Sequence, residues 1–306
     1  MTATRTLRVG TRASALARVQ TGLVADAVDA AMKIVPIVTE GDRSSAALTQ
    51  LGGTGVFVSA LRSALLSGEI DVAVHSYKDL PTAPAEGIAL AAVPMREDPR
   101  DALVARDRLT LGELPAGSRI GTGSPRRGAQ LRALGLGLEI VAIRGNVDTR
   151  LGRVSAADLD GVVLAYAGLR RLGRGREVSE VLDPIQLLPA PGQGALAIEC
   201  RSDDVEALAV LGVLDHADTR AAVCAERALL AALQAGCLAP VGALADVAEG
   251  DDGAEVFLRA SVTAIDGSDA VRLSATGATT DADGVGWRLA AELLAAGAAQ
   301  LMGSST

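Results

Sequence analysis

The sequence contains few of the residues on which disulfide frameworks, metal centres and aromatic cores depend. It has 306 residues, of which 3 are cysteines, 2 are histidines and 2% are aromatic. The cysteines, Cys200, Cys224 and Cys237, lie far apart and show no CxxC spacing, which argues against a disulfide framework and against a zinc site. We therefore expect no resident metal ion, cores built from alanine, valine and leucine, and a reducing, cytoplasmic environment.

The sequence also lacks the long apolar segments that enter or cross membranes. Residues 1–14 contain no apolar region of the kind found in secretory signal peptides, and charged residues or glycines interrupt every long apolar run. We therefore expect no membrane partner. The formal net charge of −8 argues against a non-specific nucleic-acid binder, which needs a basic face along the phosphate backbone.

Positive charge is nevertheless concentrated in one part of this acidic chain. The window 119–153 contains seven arginines and only two acidic residues, so its formal charge is 7 − 2 = +5. Arginine binds carboxylates and phosphates through two hydrogen bonds at once and stays charged when partly desolvated. The concentration indicates a small, multiply anionic ligand. The seven residues are Arg119, Arg126, Arg127, Arg132, Arg144, Arg150 and Arg153.

The pattern of secondary structure changes along the chain. The first two thirds alternate short β-branched segments with Ala/Leu-rich segments, which predicts parallel α/β units. One round runs from a strand at 7–9 to a strand at 72–75, with a helix over 14–30 and a strand over 34–39. A second round runs from 102–105 to 162–165. After Thr219, a helix, three alternating segments and a final helix over 284–298 predict a small α+β domain with an antiparallel sheet.

One strand-to-helix junction, residues 120–127, combines a glycine turn with hydroxyl groups and arginines. Ser124 is a suitable N-cap, Pro125 fits the first helical position, and Arg126 and Arg127 follow in the first turn. Positive charge is unfavourable at this end of a helix, so the two arginines need a compensating anion. The alternative is a helix cap with solvated surface arginines.

Two further junctions share this chemistry. Arg12 and Ser14 precede the first helix, an arrangement that is equally consistent with a structural role, and Arg144 and Arg150 flank a third junction. In parallel α/β sheets, ligands bind beyond the carboxyl ends of strands. All three junctions lie at such ends, and we interpret them as one cleft.

The segment 74–81 joins a lysine and an aspartate just past a predicted strand. Only two of the 29 basic residues are lysines, and one of them, Lys78, precedes Asp79. Near a cluster of cations, the Asp79 carboxylate would stay ionised and could stabilise a cationic intermediate or relay a proton. The alternative is a structural Lys–Asp turn ending at Pro81. His75 ends the strand and is expected to be structural.

Cys237 lies in a loop bounded by glycine and proline, between a predicted helix and a predicted strand. A nucleophilic cysteine needs a base or a lowered pKa, and no histidine is near it in the sequence. A Cys–His hydrolase is therefore not favoured. A permanent thioether link to a cofactor fits, because it uses the thiol once.

Eight short motifs are distributed along the chain. They are TRASALA at 11–17, GGTGVF at 52–57, VHSYKDLPT at 74–82, GTGSPRR at 121–127, IRGNVDTRLGR at 143–153, LAYAGLRRLG at 164–173, PAPGQGALAIECR at 189–201 and AGCLAPVGA at 235–243. Each motif is modest alone, but the order and spacing are specific. Together they resemble the porphobilinogen deaminase (hydroxymethylbilane synthase) family over essentially the whole chain.

The resemblance implies a fold and an activity. It implies two doubly wound α/β domains like those of solute-binding proteins, residues 1–97 with 195–214 and residues 98–194, and a smaller α+β domain with a three-stranded antiparallel sheet, residues 215–306. It implies a monomeric transferase that condenses four porphobilinogen molecules head-to-tail into hydroxymethylbilane, releasing ammonia, in haem and tetrapyrrole biosynthesis. The primer would be a covalently bound dipyrromethane cofactor.

The resemblance also implies roles for single residues. Asp79 matches the catalytic aspartate, and Cys237 matches the cysteine that holds the cofactor through a thioether. Arg119, Arg132 and Arg153 match no binding position and are expected to be surface charges. The positions that match substrate- and cofactor-binding residues are Arg12, Ser14, Ser76, Lys78, Thr122, Ser124, Arg126, Arg127, Arg144, Arg150, Arg171 and Gln193.

Two other classes of function compete with this interpretation. A cytoplasmic organic-anion-binding effector module would share the solute-binding architecture, but it gives no reason for Cys237 or Asp79. An enzyme that binds a nucleotide or sugar phosphate would also use helix N-termini. The sequence contains neither a P-loop nor a GxGxxG fingerprint.

Overall fold

A computed structural model of the chain describes residues 5–37, 55–236, 239–250 and 253–302, with the backbone alone for residues 55–57. It divides into two compact units, a first unit of residues 1–97 and 195–220 and a second unit of residues 98–194 and 221–306. The strands are β1 (Leu7–Thr11), β2 (Met32–Pro36), β3 (Val72–Ser76), β4 (Ile88–Ala92), β5 (Asp101–Ala105), β6 (Arg119–Thr122), β7 (Glu139–Ala142), β8 (Gly161–Ala165), β9 (Glu180–Val181), β10 (Leu196–Arg201), β11 (Val241–Gly250), β12 (Gly253–Thr263) and β13 (Ala270–Ala278). The helices are α1 (Ala15–Asp26), α2 (Gly55–Leu66), α3 (Pro125–Ala133), α4 (Val147–Ser155), α5 (Tyr166–Arg171), α6 (Val205–Gly212), α7 (Ala217–Ala232), α8 (Ala282–Ala295) and α9 (Ala298–Leu301).

The first unit is built on a five-stranded sheet with the order β2-β1-β3-β10-β4. β1 runs parallel to β2 and β3, and β10 runs antiparallel to β3 and β4. The strands are rich in β-branched and other aliphatic residues that pack as one core, including Val9, Val72 and Ile198. This core fixes β1 and β3 side by side, so that the segments following them emerge at the same edge of the sheet.

The second unit contains a sheet with the same arrangement, in the order β7-β6-β8-β5-β9. β6 runs parallel to β7 and β8, and β5 runs antiparallel to β8 and β9. In both sheets three parallel strands are followed by an antiparallel strand that lies next to a crossing between the units. The prediction that the first two thirds contain the same α/β architecture twice is confirmed.

The remainder of the second unit is the predicted α+β segment. Strands β11, β12 and β13 form an antiparallel sheet in that order. Alternate residues of β12, such as Val256 and Leu258, are buried in a core shared with α7 and α8. The predicted fold class is therefore confirmed, including the three-stranded sheet at the C-terminal end.

The ends of several elements differ from the prediction for local reasons. Helix α1 ends at Asp26 rather than at residue 30, and β2 (Met32–Pro36) begins two residues before the predicted strand. The last two residues of that predicted strand, 38 and 39, lie outside the described residues. β2 is an edge strand whose extent is set by its pairing with β1, from Leu7↔Met32 to Thr11↔Pro36. The last predicted helix is broken at Gly297, whose φ of 96° is left-handed. Strands β4 and β9 were not predicted.

Helices α7 and α8 approach each other closely at Gly286. A Cβ atom at this position would lie 2.3 Å from the carbonyl oxygen of Ala225 and 2.8 Å from the Cβ of Ala228. The contact is to backbone, which cannot rotate away as a flexible side chain could. Glycine is therefore required here by packing, despite its low helix propensity.

We expect Gly286→Ala to lower the free energy of unfolding of the second unit by about 1–3 kcal/mol, because the added methyl group forces α7 and α8 apart. Gly152→Ala is the matched control, since Gly152 also lies inside a helix but has open space around it. That substitution should raise stability by about 0.5–1 kcal/mol through helix propensity. Denaturant unfolding of both variants measures the difference, and two changes of the same sign would contradict the packing argument.

Candidate active site

In the first unit, β1 leads into Arg12 and the N-cap of α1. Ser14 is that cap, and its Oγ accepts a hydrogen bond from the backbone N–H of Ala17 at 3.3 Å. Arg12 lies between strand and cap and is half-buried. The junction predicted from the sequence is therefore present, with the Ser14 hydroxyl engaged in the cap.

β3 leads into a single helical turn, Tyr77–Asp79. The turn is held by hydrogen bonds from the Tyr77 N–H to the carbonyl of Ala195 at 3.0 Å and from the Leu80 N–H to the carbonyl of Tyr77 at 3.1 Å. Lys78 and Asp79 are half-buried within it. Because β1 and β3 are parallel neighbours, this turn and the Arg12 junction lie at the same edge of the sheet.

Ser76, the last residue of β3, is held by a glutamine that the sequence did not single out. Gln20 is buried on α1, and its Nε2 donates to the Ser76 Oγ at 3.0 Å while the Oε1 accepts from it at 3.2 Å. The side chain thus joins α1 to the start of the Lys78–Asp79 turn. The sequence feature that could have identified Gln20 is its position as a polar residue on the inward face of an otherwise apolar helix.

His75, one residue earlier, has the structural surroundings that were expected. It is buried, and its Nε2 lies 3.2 Å from the Oε2 of Glu199. Arg62 of α2 donates to both oxygens of the same carboxylate, at 3.1 and 2.6 Å. Burial alone raises the pKa of Glu199, but its interactions with His75 and Arg62 outweigh that effect and lower the pKa to about 2. This ionic cluster fixes α2 against β3 and β10.

In the second unit, β6 ends at Thr122, and α3 begins after Ser124. The Ser124 Oγ accepts from the backbone N–H of Arg127 at 3.4 Å, and the Ser124 N–H donates to the Oγ1 of Thr122 at 3.2 Å. Pro125 occupies the first turn of the helix. The predicted helix cap is present in detail.

Arg126 and Arg127 lie inside the unit and have an internal anion. They are only 3% and 5% exposed. Arg126 donates to the Oδ2 of Asp101 at 2.7 Å, and Arg127 donates to the Oδ1 through Nε at 2.9 Å and Nη2 at 2.7 Å. The anion that the helix dipole requires is therefore supplied by Asp101, the first residue of β5. Neither a ligand nor solvated surface arginines are needed to explain the pair.

Gln193 completes this network. Its Nε2 donates to the Oδ1 of Asp101 at 2.8 Å and to the carbonyl of Pro99 at 2.7 Å, and its Oε1 accepts from Arg127 at 3.2 Å. Burial alone raises the pKa of Asp101, but the charges of Arg126 and Arg127 outweigh it and hold the pKa well below its usual range. Burial lowers the pKa of Arg126, and Asp101 offsets part of that effect.

Arg144 and Arg150, by contrast, have no acidic partner among the residues that the structure describes. Arg144 is exposed just after β7. The Nε of Arg150 donates to the carbonyl of Gly145 at 2.8 Å, and its guanidinium approaches Gly123 at the start of the α3 junction. Burial lowers the pKa of Arg150, and the charge of Arg127 lowers it further. The carboxyl ends of β6 and β7 therefore carry positive charge that no acidic side chain in the described part of the chain compensates.

The remaining arginines of this region have other surroundings. Arg171 is half-buried on α5, and its Nη2 donates to the carbonyl of Gly194 at 2.7 Å. Arg119 and Arg153 both lie within salt-bridge distance of Asp158, at 3.5 and 2.6 Å. The expectation that these two are surface charges agrees with that pairing.

The cysteines differ in their surroundings. Cys237 lies outside the described residues; the residues on either side of the gap are joined by a hydrogen bond from the Ala239 N–H to the carbonyl of Gly236 at 2.9 Å. Cys200 is buried in β10, and burial raises its pKa to about 11, which keeps it a thiol. Cys224 is half-buried on α7.

The described residues contain no arrangement suited to a metal ion and no candidate membrane span. No group of three or more His, Cys, Asp or Glu side chains within them is arranged to hold a metal ion. No helix in the same part of the chain has the length and apolar character needed to cross a membrane.

Comparisons with known proteins identify the family. The family model described as "Porphobilinogen deaminase, dipyromethane cofactor binding domain" matches residues 7–209, and "Porphobilinogen deaminase, C-terminal domain" matches residues 220–295. The chain is 58% identical over 304 residues to a porphobilinogen deaminase of Mycobacterium tuberculosis, covering 97% of this chain and 98% of the relative. It is 58% identical over 305 residues to that of Mycobacteroides abscessus, covering 97% and 99%.

A solved structure of the methionine-binding protein MetQ also matches, at a TM-score of 0.40 and 15% identity over 68% of this chain and 89% of that chain. That similarity is too low to bear on function. The two family models, in contrast, together span most of the sequence, and the relatives match it over nearly their whole length. The chain belongs to the porphobilinogen deaminase family.

Proposed function

We propose that the side chains at the strand ends of the two units carry out the reaction of this family, in which four porphobilinogen molecules are condensed head-to-tail into hydroxymethylbilane with release of ammonia. The dipyrromethane cofactor supplies the primer on which the chain of pyrroles is extended. The observation that carries the proposal is the presence of Arg144 and Arg150, two cations without an acidic partner among the described residues, at the ends of strands β6 and β7. Each pyrrole unit bears two carboxylates, and such cations match them.

We propose Asp79 as the catalytic residue. Loss of ammonia from porphobilinogen leaves positive charge on the pyrrole, and a carboxylate fixed in a tight turn stabilises that charge and accepts or returns the pyrrole N–H proton. The hydrogen bonds of Tyr77 and Leu80 hold the turn in place. Substrate carboxylates would be bound by residues at the same edge of the sheet, namely Arg12, Ser14, Ser76 and Lys78.

In the second unit we propose two kinds of arginine. Arg144 and Arg150 would contact carboxylates directly, together with Arg171 and the hydroxyl groups of Thr122 and Ser124. Arg126 and Arg127 would act mainly through charge: with Asp101 ionised, two guanidinium groups and one carboxylate leave a net charge of 2 − 1 = +1 at the start of α3. Gln193 would hold this group in its orientation.

The residues present fit a dipyrromethane cofactor. The cofactor carries several carboxylates, and the positive charge at the ends of β6 and β7 exceeds what the described acidic side chains compensate. Cys237 would attach it, since a thioether needs only one accessible sulfur atom and no neighbouring base. Cys200 is unsuitable because it is buried and its raised pKa keeps it protonated.

We further propose a cytoplasmic monomer of three domains, with residues 1–97 and 195–214, 98–194, and 215–306 as their extents. The wide spacing of the three cysteines in the sequence, which is untypical of a disulfide framework, supports the compartment. No observation on the described residues favours the alternative of an organic-anion-binding effector module.

Intact-protein mass under denaturing conditions tests the attachment. We expect the purified chain to carry a covalent adduct with the mass of a dipyrromethane, and Cys237→Ser to lose it because serine cannot form the thioether. Cys224→Ser is the control and should retain the adduct. An adduct that survives in the Cys237→Ser variant, or an unmodified chain with full activity on porphobilinogen, would contradict the proposal.

Replacing Asp79 tests the catalytic role. We expect Asp79→Asn to reduce ammonia release by about 10²–10⁴-fold, since the amide has the same shape but neither stabilises positive charge nor exchanges a proton. Asp26→Asn, at the exposed end of α1, is the control for loss of one negative charge. Steady-state assays of ammonia and of hydroxymethylbilane measure the effect. Equal rates for the two variants would exclude Asp79 as the catalytic group.

Two arginines of α4 provide a matched test of binding. We expect Arg150→Gln to raise the KM for porphobilinogen about tenfold to a hundredfold, because one charge-assisted hydrogen bond is lost. Stability should not fall, because the substitution removes a half-buried cation that has no acidic partner among the described residues. Arg153→Gln, which breaks the pair with Asp158, should leave KM unchanged. Kinetics and thermal unfolding of both variants measure these effects. The same KM in both would show that Arg150 does not bind substrate.

A further inference from the structure

Glu226 is a fully buried carboxylate for which neither the sequence nor the proposed reaction assigns a role. It lies on α7 and is 0% exposed. Its Oε2 accepts a hydrogen bond from the Gly192 N–H at 2.6 Å, and its Oε1 accepts one from the Ala245 N–H at 2.8 Å. Burying a carboxylate is costly unless its oxygens are hydrogen-bonded. These two donors belong to the backbone, so through them the carboxylate fixes the course of the chain at two points.

These two points belong to segments that touch in other places as well. The Ala243 N–H of β11 donates to the carbonyl of Pro189 at 2.9 Å. At Gly242 a Cβ atom would lie only 2.8 Å from the carbonyl oxygen of Leu188, so that β11 reaches this segment only because residue 242 is glycine. Several contacts therefore join the start of β11 to residues 188–192. Glu226 of α7 adds a hydrogen bond to each of these two segments.

The same segment holds the arginine network of the second unit. The Leu188 carbonyl accepts hydrogen bonds from Arg126 and, at 3.1 Å, from the Nε2 of Gln130. Gln193, the neighbour of Gly192, contacts both Asp101 and Arg127. Any displacement of Gly192 is thus transmitted to Gln193 and to the charges that it orients.

The residues on the other side of Glu226 lead to the cofactor-attachment cysteine. α7 ends at Ala232, and β11 begins at Val241, so the loop that contains Cys237 starts and finishes on elements that Glu226 holds together. A hydrogen bond from the Ala239 N–H to the Gly236 carbonyl joins the described residues on either side of Cys237. The Glu226 carboxylate therefore contacts both β11, which follows this loop, and Gly192, which precedes Gln193 of the arginine network.

We propose that Glu226 is a positioning residue, which fixes the base of the Cys237 loop relative to the Asp101–Arg126–Arg127–Gln193 network. The inference rests on the proposed attachment at Cys237. A tethered primer must present its free end at one place while its carboxylates stay bound. Movement of the attachment loop relative to the arginine network therefore lowers turnover. A misplacement of about 1 Å in a reacting complex costs on the order of 10²-fold in rate.

The test compares Glu226→Gln with Val285→Ala. The glutamine has the same shape, but its NH₂ group must face one of the two backbone donors, so one hydrogen bond is lost. Val285→Ala is the control: Val285 is fully buried on α8 in the same hydrophobic core and forms no polar contact. It lowers stability without touching the segment 188–193. Denaturant unfolding establishes how far each variant is destabilised.

Three readouts separate positioning from stability alone. We expect Glu226→Gln to lower kcat about tenfold to a hundredfold while KM for porphobilinogen changes less than about twofold, and Val285→Ala to keep both values within about twofold per folded molecule. Amide hydrogen exchange should show faster exchange at Gly192 and Ala245 in Glu226→Gln only. The third readout is the intact mass of the parent chain, which shows whether the adduct is present.

The outcomes are distinguishable. A parent chain with adduct and activity, combined with the same kcat in Glu226→Gln and Val285→Ala, would overturn the role of Glu226 and leave the proposed function intact. A parent chain without adduct would overturn the attachment at Cys237 and this inference with it. If Glu226→Gln does not fold, Gly242→Ala carries the test, because its methyl group pushes β11 away from Leu188; normal kcat in that variant would also refute the inference.

Discussion

The buried carboxylate of Asp101 is the group around which the second unit is arranged. A charge with no solvent access destabilises a protein by several kcal/mol unless it is paired and hydrogen-bonded, and its partners then become costly to remove. Asp101 meets this condition through Arg126 and Arg127 of α3 and through the side-chain amide of Gln193. It is also the first residue of β5, the strand with which the chain enters the sheet. The positions of α3 and β5 and the course of residues 188–194 thereby depend on a single ion.

The arginines of this unit fall into two groups according to what compensates them. Arg126 and Arg127 have a carboxylate within the protein, so they contribute to the folded state whether or not a ligand is bound. Arg150 has no such partner among the described residues, and both burial and Arg127 lower its pKa. Its charge is held at a cost in stability that a bound carboxylate would offset. Groups that destabilise the folded protein and are relieved by a ligand are typical of binding sites.

The sequence was sufficient for the parallel strands and their junctions, because these depend on local patterns. The N-caps at Ser14 and Ser124 and the proline in the first turn of α3 follow from rules that span a few residues. The partners of the buried polar groups could not be obtained in this way. Asp101 and Gln193 are 92 residues apart, and Glu226 and Gly192 are 34 apart. Only the tertiary packing of the second unit, which no local pattern specifies, brings such residues together.

The sequence PGQG at 191–194 lies where the chain leaves the second unit, and the backbone here forms hydrogen bonds close to proposed site residues. Gly192 and Gly194 have φ angles of 73° and 89°, which only glycine adopts at low cost. The Gly194 carbonyl accepts from Arg171 in the second unit, and the next carbonyl, that of Ala195, accepts from Tyr77 at the start of the Asp79 turn in the first. Two successive peptide groups therefore support Arg171, proposed to bind substrate, and the turn that carries the proposed catalytic residue Asp79. An unconstrained linker could not do this, since each carbonyl must point in a defined direction, and the two left-handed glycines are what give the backbone those directions.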